Sequence, residues 1–361
     1  MLTYSDYFSP INVKNSYFAG ANTPKGFFAE YENLMNEDSF EKIYIIKGGS
    51  GTGKSTLIRR LAKTGEKLGG IITYILCSSD PDSLDGAIIE KGDKKIAVID
   101  GTAPHTTDPL YAGACGEIVN CGDHWNTEIL EAQKTKIADI IREKSRLYSR
   151  VYRYLSAAFE ICEIQSVLAG SYLCKEKMIG AVKRLVPEKE KGTKPGKIVY
   201  RRTCAVSMKG AFRLTSFEEG AKLYGVSDYG FLAPVFYEEL LRELISSGID
   251  TYVSKSPLYG IAELYLPEFN IAFVPYREGA EYAKVINMRR FISKEGMARV
   301  KEKRIFTSRC YKEMMEGALE SLSAVKDCHF ALEEIYRKAM DFEGLDRMGQ
   351  KLSGAIEKRL S

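Results

Sequence analysis

Two kinds of apolar pattern alternate along this 361-residue chain. Short uninterrupted runs, Ile43 to Ile46, Ile96 to Ile99 and Ile271 to Val274, are rich in β-branched and aromatic residues. Lacking an alternating polar position, they predict strands buried on both faces. Longer stretches carry apolar residues three and four apart. Leu57 and Leu61 predict a short amphipathic helix after the first run. Ile137, Ile140, Ile141, Leu147, Val151, Leu155 and Ala158 predict a long one, and Met314, Ala318, Leu322, Val325, Leu332 and Ile335 another. Strands interleaved with helices in this order indicate an α/β chain.

The pattern occurs twice. Thr23 to Phe28 is echoed by Ser207 to Phe212, Lys42 to Ile46 by Lys222 to Val226, and Thr73 to Ile75 by Thr251 to Val253. Ile96 to Asp100 is echoed by Ile271 to Pro275, and Ile118 to Asn120 by Val285 to Asn287. Such matches mean little singly, but their shared order predicts two modules, residues 1–190 and 200–361, each ending in long helices. The stretch Pro187 to Gly196, with Gly192, Pro195 and several charges, has the composition of the linker between them.

Candidate chemistry lies in the first copy. Gly48, Gly49, Ser50, Gly51, Thr52, Gly53, Lys54 and Ser55 fit G-x-x-x-x-G-K-[ST] in full, after a predicted strand and before a predicted helix. Glycines let backbone N–H groups wrap an anion, and the helix start adds its positive dipole end. On this reading Lys54 reaches the β- and γ-phosphates of a nucleoside triphosphate, ATP or GTP. The Ser55 hydroxyl ligates Mg2+, and Thr56 adds a phosphate contact. Asp100, closing an apolar strand, is the expected second metal carboxylate. The fold class expected is therefore two tandem P-loop NTPase-like modules with mainly parallel sheets. Asp80, Asp82 and His105 are candidates to orient a nucleophile, although a turn composition or a lone structural histidine accounts for each as simply. Thr23 to Phe28 could bring Lys25 or an aromatic ring to the base, but core packing is the favoured reading of those residues.

The second copy has lost these groups. Pro234 falls where Lys54 stands and Pro275 where Asp100 stands, and proline offers a phosphate neither a cation nor an N–H. The second module is thus expected to be scaffold, a regulatory half, or a surface for a protein partner.

Composition narrows the partners. A hydrophobic fraction of 45% is that of an ordinary globular protein, and a net charge of +4 is too mild to announce a nucleic acid. No apolar run reaches the roughly 18 residues of a membrane helix. Met1 to Pro10 has neither the basic start nor the apolar core of a signal peptide, so no membrane partner and a cytoplasmic location are expected. Eight cysteines with no C-x-x-C pair read as small buried hydrophobes, and Cys115, Cys121 and His124 match no common zinc spacing. Lys183, Arg184, Lys189, Lys191, Lys194, Lys197, Arg201 and Arg202 crowd the inter-module region. Interspersed Glu188 and Glu190 favour a basic linker over a nucleic-acid surface.

With Gly48 to Ser55, Ile99 to His105 and the supporting stretch Ser78 to Gly86, the chain resembles an uncharacterised bacterial ATPase family. In that family a P-loop module occurs twice in one polypeptide. The resemblance implies a P-loop fold and ATP binding, and names no substrate. A Mg2+-dependent ATPase that couples nucleotide state to the long helices is the leading expectation. A small-molecule or nucleotide kinase is the alternative, which Arg142, Arg146 and Arg150 could serve by closing over the phosphates, although arginines four apart on a helix more often form a solvated stripe. A non-enzymatic nucleotide sensor and a nucleic-acid-associated ATPase are the others. Arg289 and Arg290 hold a notable place in the second copy without forming an identifiable arginine finger.

Overall fold

The structure, a computed structural model, describes residues 8–13, 15–31, 37–104, 106–189 and 194–361. The first half runs β1 (Phe8–Ile11), β2 (Ser16–Phe18), β3 (Gly20–Thr23), β4 (Gly26–Ala29), β5 (Lys42–Lys47), α1 (Lys54–Lys67), β6 (Ile71–Leu76), β7 (Leu84–Lys91), β8 (Lys94–Asp100) and β9 (Gly116–Asn120). Helices α2 (Thr127–Ala132), α3 (Lys134–Gly170) and α4 (Lys175–Lys183) follow. The second half runs β10 (Ile198–Tyr200), β11 (Cys204–Ser207), β12 (Gly210–Leu214), β13 (Lys222–Ser227), α5 (Ala233–Ser246), β14 (Thr251–Lys255), β15 (Ile261–Leu266), β16 (Ile271–Pro275) and β17 (Lys284–Asn287). It closes with α6 (Lys294–Ala339) and α7 (Phe342–Leu360). The protein is thus mixed α/β, with two sheet-rich halves.

Each half holds a six-stranded sheet, in the orders β2-β6-β7-β8-β5-β9 and β10-β14-β15-β16-β13-β17. Order and direction agree strand for strand. Each sheet is mainly parallel, with one reversed strand: β7 runs antiparallel to both β6 and β8, as β15 does to β14 and β16. The cause is local: β7 and β8 are joined only by Gly92, at φ 61°, and Asp93, too short a link for a parallel crossover. The outer pairs β2–β6, β8–β5 and β5–β9 are parallel. At the strand ends Asp100 pairs with Ile46, and Pro275 pairs with Val226.

Alternation along β5 sends Tyr44 and Ile46 to the face covered by α1, and Ile43 and Ile45 to the opposite core. Both faces are buried, as the unbroken apolar run requires. The echoed hairpins are equivalent in detail. Thr23 Oγ1 donates to Gly26 O at 2.7 Å and Ser207 Oγ to Gly210 O at 2.9 Å, with both glycines at positive φ. They also meet each other, Asn22 Nδ2 donating to Val206 O at 2.9 Å, and β1 joins β12 of the other half.

The long helices bridge the halves rather than append to them. Facing pairs such as Tyr154 with Gly317 and Gln165 with Ser308 show that α3 and α6 run antiparallel. Their shared seam holds Val151, Leu155, Ala158 and Cys162 against Tyr311, Met315, Ala318 and Leu322. Each helix begins beside its own sheet and ends on the other. Consequently Met178 and Val182 of α4 lie in the core of the second sheet, while Leu345, Leu352 and Ile356 of α7 cover Leu57 and Leu61 of α1. The terminal helices of each half thus pack on the sheet of the other.

No described helix is long and apolar enough to cross a membrane. All eight cysteines are free, and Cys174 departs from the buried expectation by standing exposed before α4. The basic inter-module cluster is dispersed by the fold. Arg202 is buried in a bidentate pair with Glu30, Arg201 lies over the rings of Tyr17 and Tyr252, and Lys189 pairs with Glu268. Glu190, Lys191 and Gly192 of that region lie outside the described residues.

Candidate functional site

The segment from Gly48 to Gly53 leaves the end of β5 and curls back into the first turn of α1. Gly51 and Gly53 take φ of 71° and 83°, which a side chain would strain. Thr52 Oγ1 donates to Gly49 O at 2.9 Å and pins the curl, while Gly48 N donates to Thr102 Oγ1 at 3.2 Å and ties it to the end of β8. The C-terminal end of α6 roofs the loop. A Cβ on Gly49 would lie 2.7 Å from the Tyr336 ring, and one on Gly51 would lie 2.8 Å from Glu333 O.

Lys54 turns its ammonium over this loop, donating to Gly49 O at 2.7 Å and Gly48 O at 3.1 Å. It also sits 3.7 Å from Asp100 Oδ2. Burial pushes the Asp100 carboxyl above its ordinary value, and the Lys54 charge and Thr102 hydrogen bonds oppose that rise. Ser55 Oγ accepts from Leu84 N at 2.9 Å, which leaves a second lone pair for another partner.

Loop, Lys54, Ser55, Thr56 and Asp100 all open on one cavity of about 1280 Å3. Its other walls come from the β3–β4 hairpin, α3 and the end of α6. Lys25 and Phe27 line it, so the fold does bring that hairpin to the site. Asp80 lines it too, but its carboxylate is held by Lys209 of the second half, which also pairs with Asp82. His105 lies outside the described residues. Arg142 and Arg146 do not join the site. They are exposed on α3 and pair with Asp139 and Glu143 one turn away, and Arg150 is exposed as well. Helix phase instead turns Lys144, Tyr148 and Tyr152 toward the cavity, and Arg153 lines its exposed rim.

Several cavity residues escaped the sequence reading. Asp85 is buried beside Asp100 and adds to the rise of its carboxyl. Burial lowers the Lys144 ammonium. Glu333 takes a contact from His329 at 3.3 Å, which is the main cause of its lowered carboxyl. Lys144 was legible in principle, because Lys144, Tyr148 and Tyr152 recur four apart beside the apolar stripe of α3, Tyr148 one position on from Leu147 and Tyr152 from Val151.

The corresponding place in the second half is closed. Asp228, Phe231, Pro234 and Pro275 enclose a cavity of about 30 Å3, room for a water at most. Arg289 there lies over the Tyr229 ring, not on a phosphate-sized space.

No group of three or more His, Cys, Asp and Glu gathers among the described residues, Cys115, Cys121 and His124 included. That excludes a preformed cage of such ligands there, but a hydroxyl and one carboxylate fit Mg2+, which keeps waters and takes its remaining ligands from phosphate oxygens. In comparisons with family models, curated proteins and solved structures, nothing matches the chain significantly.

Proposed function

We propose that the first half binds a Mg2+–nucleoside triphosphate, ATP or GTP, on the loop from Gly48 to Thr56 and hydrolyses it. The observation that carries this reading is the curled loop between β5 and α1, with Lys54 and Asp100 3.7 Å apart at the mouth of a large cavity. The loop amides and the α1 dipole would hold the phosphates. Lys54, now resting on the loop's own carbonyls, would exchange them for β- and γ-oxygens. Ser55 and Asp100 would hold Mg2+, whose contribution is to neutralise the charge on the phosphates.

The matched strand order supports reading the two halves as a duplicated module, of which the second has kept the sheet and lost the site. Because α6 ends on the loop while it begins beside the second sheet, a shift at the phosphates has a rigid element to move. A protein partner of the second half would sense nucleotide state through it.

Transfer to an acceptor is the second reading, favoured by the cavity's size. The test is to measure nucleotide affinity and phosphate release for the chain and for Lys54→Ala, with and without candidate acceptors. Lys54→Ala should lose about a hundredfold in affinity or turnover, as expected for a charge-assisted contact to phosphate. Equal affinity in the two proteins would refute the site.

A further inference from the structure

The cavity is larger than its nucleotide needs. Small-molecule sites commonly measure about 300 to 1,000 Å3, and this one is about 1280 Å3. Beside the loop, its walls include the stretch where α3 meets the β3–β4 hairpin. Tyr152 Oη donates there to Asn22 Oδ1 at 3.3 Å, close in sequence to Lys25 on one element and Arg153 on the other.

Charge in this region is unbalanced. Of the cavity's acids, Asp80 and Asp100 have Lys209 and Lys54 beside them, Glu333 has His329 at 3.3 Å, and Asp85 is buried beside Asp100. The side chains of Lys25, Lys144 and Arg153 line the same cavity and make no hydrogen bond or ion pair among the described residues. Lys144 is also half-buried, and the desolvation of its ammonium outweighs the favourable charge of Glu333, a cost that a bound anion would relieve. Tyr148, Ser149 and Tyr152 add hydroxyls along the same wall.

We propose that this end of the cavity is a second binding site, for a small phosphate-bearing molecule with hydroxyl groups, held by Lys25 and Arg153 beside the nucleotide. The inference rests on the nucleotide reading for what occupies the other end. Lys144, between the two ends, faces both ligands. The hydroxyl-rich wall suits a sugar or nucleoside monophosphate better than a lipid or an apolar metabolite, because Lys25, Lys144 and Arg153 offer donors and the Tyr148, Ser149 and Tyr152 oxygens can accept.

Calorimetry on the full chain tests the site, with inorganic phosphate, ribose 5-phosphate and ribose as probes and a non-hydrolysable Mg2+–ATP analogue as the first ligand. With the analogue bound, phosphate and ribose 5-phosphate should still bind and ribose should not. Lys25→Ala and Arg153→Ala, both at exposed positions, should each weaken ribose 5-phosphate by about tenfold and leave the analogue within about twofold. The site is overturned if neither anion binds the loaded chain, or if both variants bind ribose 5-phosphate as the parent does. It is equally overturned if the variants lose the analogue in the same proportion, since the cations would then serve the triphosphate. Should the analogue itself not bind, the nucleotide reading falls and ribose 5-phosphate on the free chain decides the second site. Loss in Lys25→Ala and Arg153→Ala but not in Lys54→Ala upholds it. No binding, or equal loss in Lys54→Ala, rejects it.

Discussion

Asp228 occupies in the second sheet the position that Gly48 occupies in the first. Each is the residue after a strand end, Ser227 pairing with Asn287 as Lys47 pairs with Asn120. From there the Asp228 carboxylate accepts from Phe231 N at 3.1 Å and Ala233 N at 2.8 Å. A side-chain anion thus sits over the start of α5, where the first half offers its amides to an external one. Asp228→Ala should cost about 2 kcal/mol of stability, because it strands buried N–H groups. Urea unfolding checks this, and nucleotide affinity of the first half should not change.

The same carboxylate gives a pH signature. Burial raises Asp228 despite the amides that hold it down. A carboxyl raised in the folded state binds its proton more tightly than the unfolded chain does. Its contribution is therefore fully present below the ordinary carboxylate range and lost as pH rises through the raised value. Asp228→Asn cannot titrate. The stability of the parent chain minus that of the variant should fall as pH climbs from about 4 toward neutrality. A series of urea midpoints would expose the error if the difference stayed flat or grew.

The phosphate loop yields a third expectation. Gly51 combines φ of 71° with a Cβ direction that runs 2.8 Å from Glu333 O and 2.9 Å from Glu333 Cα. Both are backbone atoms of α6, so no side chain can swing away. Gly51→Ala should lose about 1 to 3 kcal/mol from strain at that backbone and separate the loop from α6. Gly69→Ala, also at positive φ (81°) but with nothing within 4 Å, serves as the control for conformational strain alone. A greater loss of nucleotide affinity in Gly51→Ala than in Gly69→Ala would show that the α6 contact matters.

How much of this was legible in the sequence depends on the range of the interaction. The runs around Ile45 and Val98 named their strands because burial on both faces leaves a local mark. The register of Asp100 against Pro275 followed from the repeat. The antiparallel β7 was hidden inside an apolar run that fits either direction, though the two-residue link at Gly92 and Asp93 carried the answer. The exchange of α4 and α7 between halves left no mark, because an apolar stripe says that a helix packs and not against which sheet. Arg142 and Arg153 differ only in helix phase, which turns one to solvent and the other to the cavity's rim. Asp85 and Glu333 were missed because nothing near them in sequence announces a site.

Lys209 is the point where the second half touches the chemistry of the first. It holds Asp80, which lines the cavity, together with Asp82, which is exposed. Its pairing partners raise the ammonium against a burial effect that lowers it. Lys209→Ala would leave Asp80 as an uncompensated negative charge facing the phosphates. The pair is partly exposed, so stability should fall by less than about 1 kcal/mol. Nucleotide affinity should fall by about threefold to tenfold at low ionic strength, and the deficit should shrink as salt screens the repulsion. Asp80→Asn in the same background removes the unpaired charge and should restore affinity. Failure of that rescue would mean that Lys209 acts by positioning the hairpin and not by neutralising Asp80.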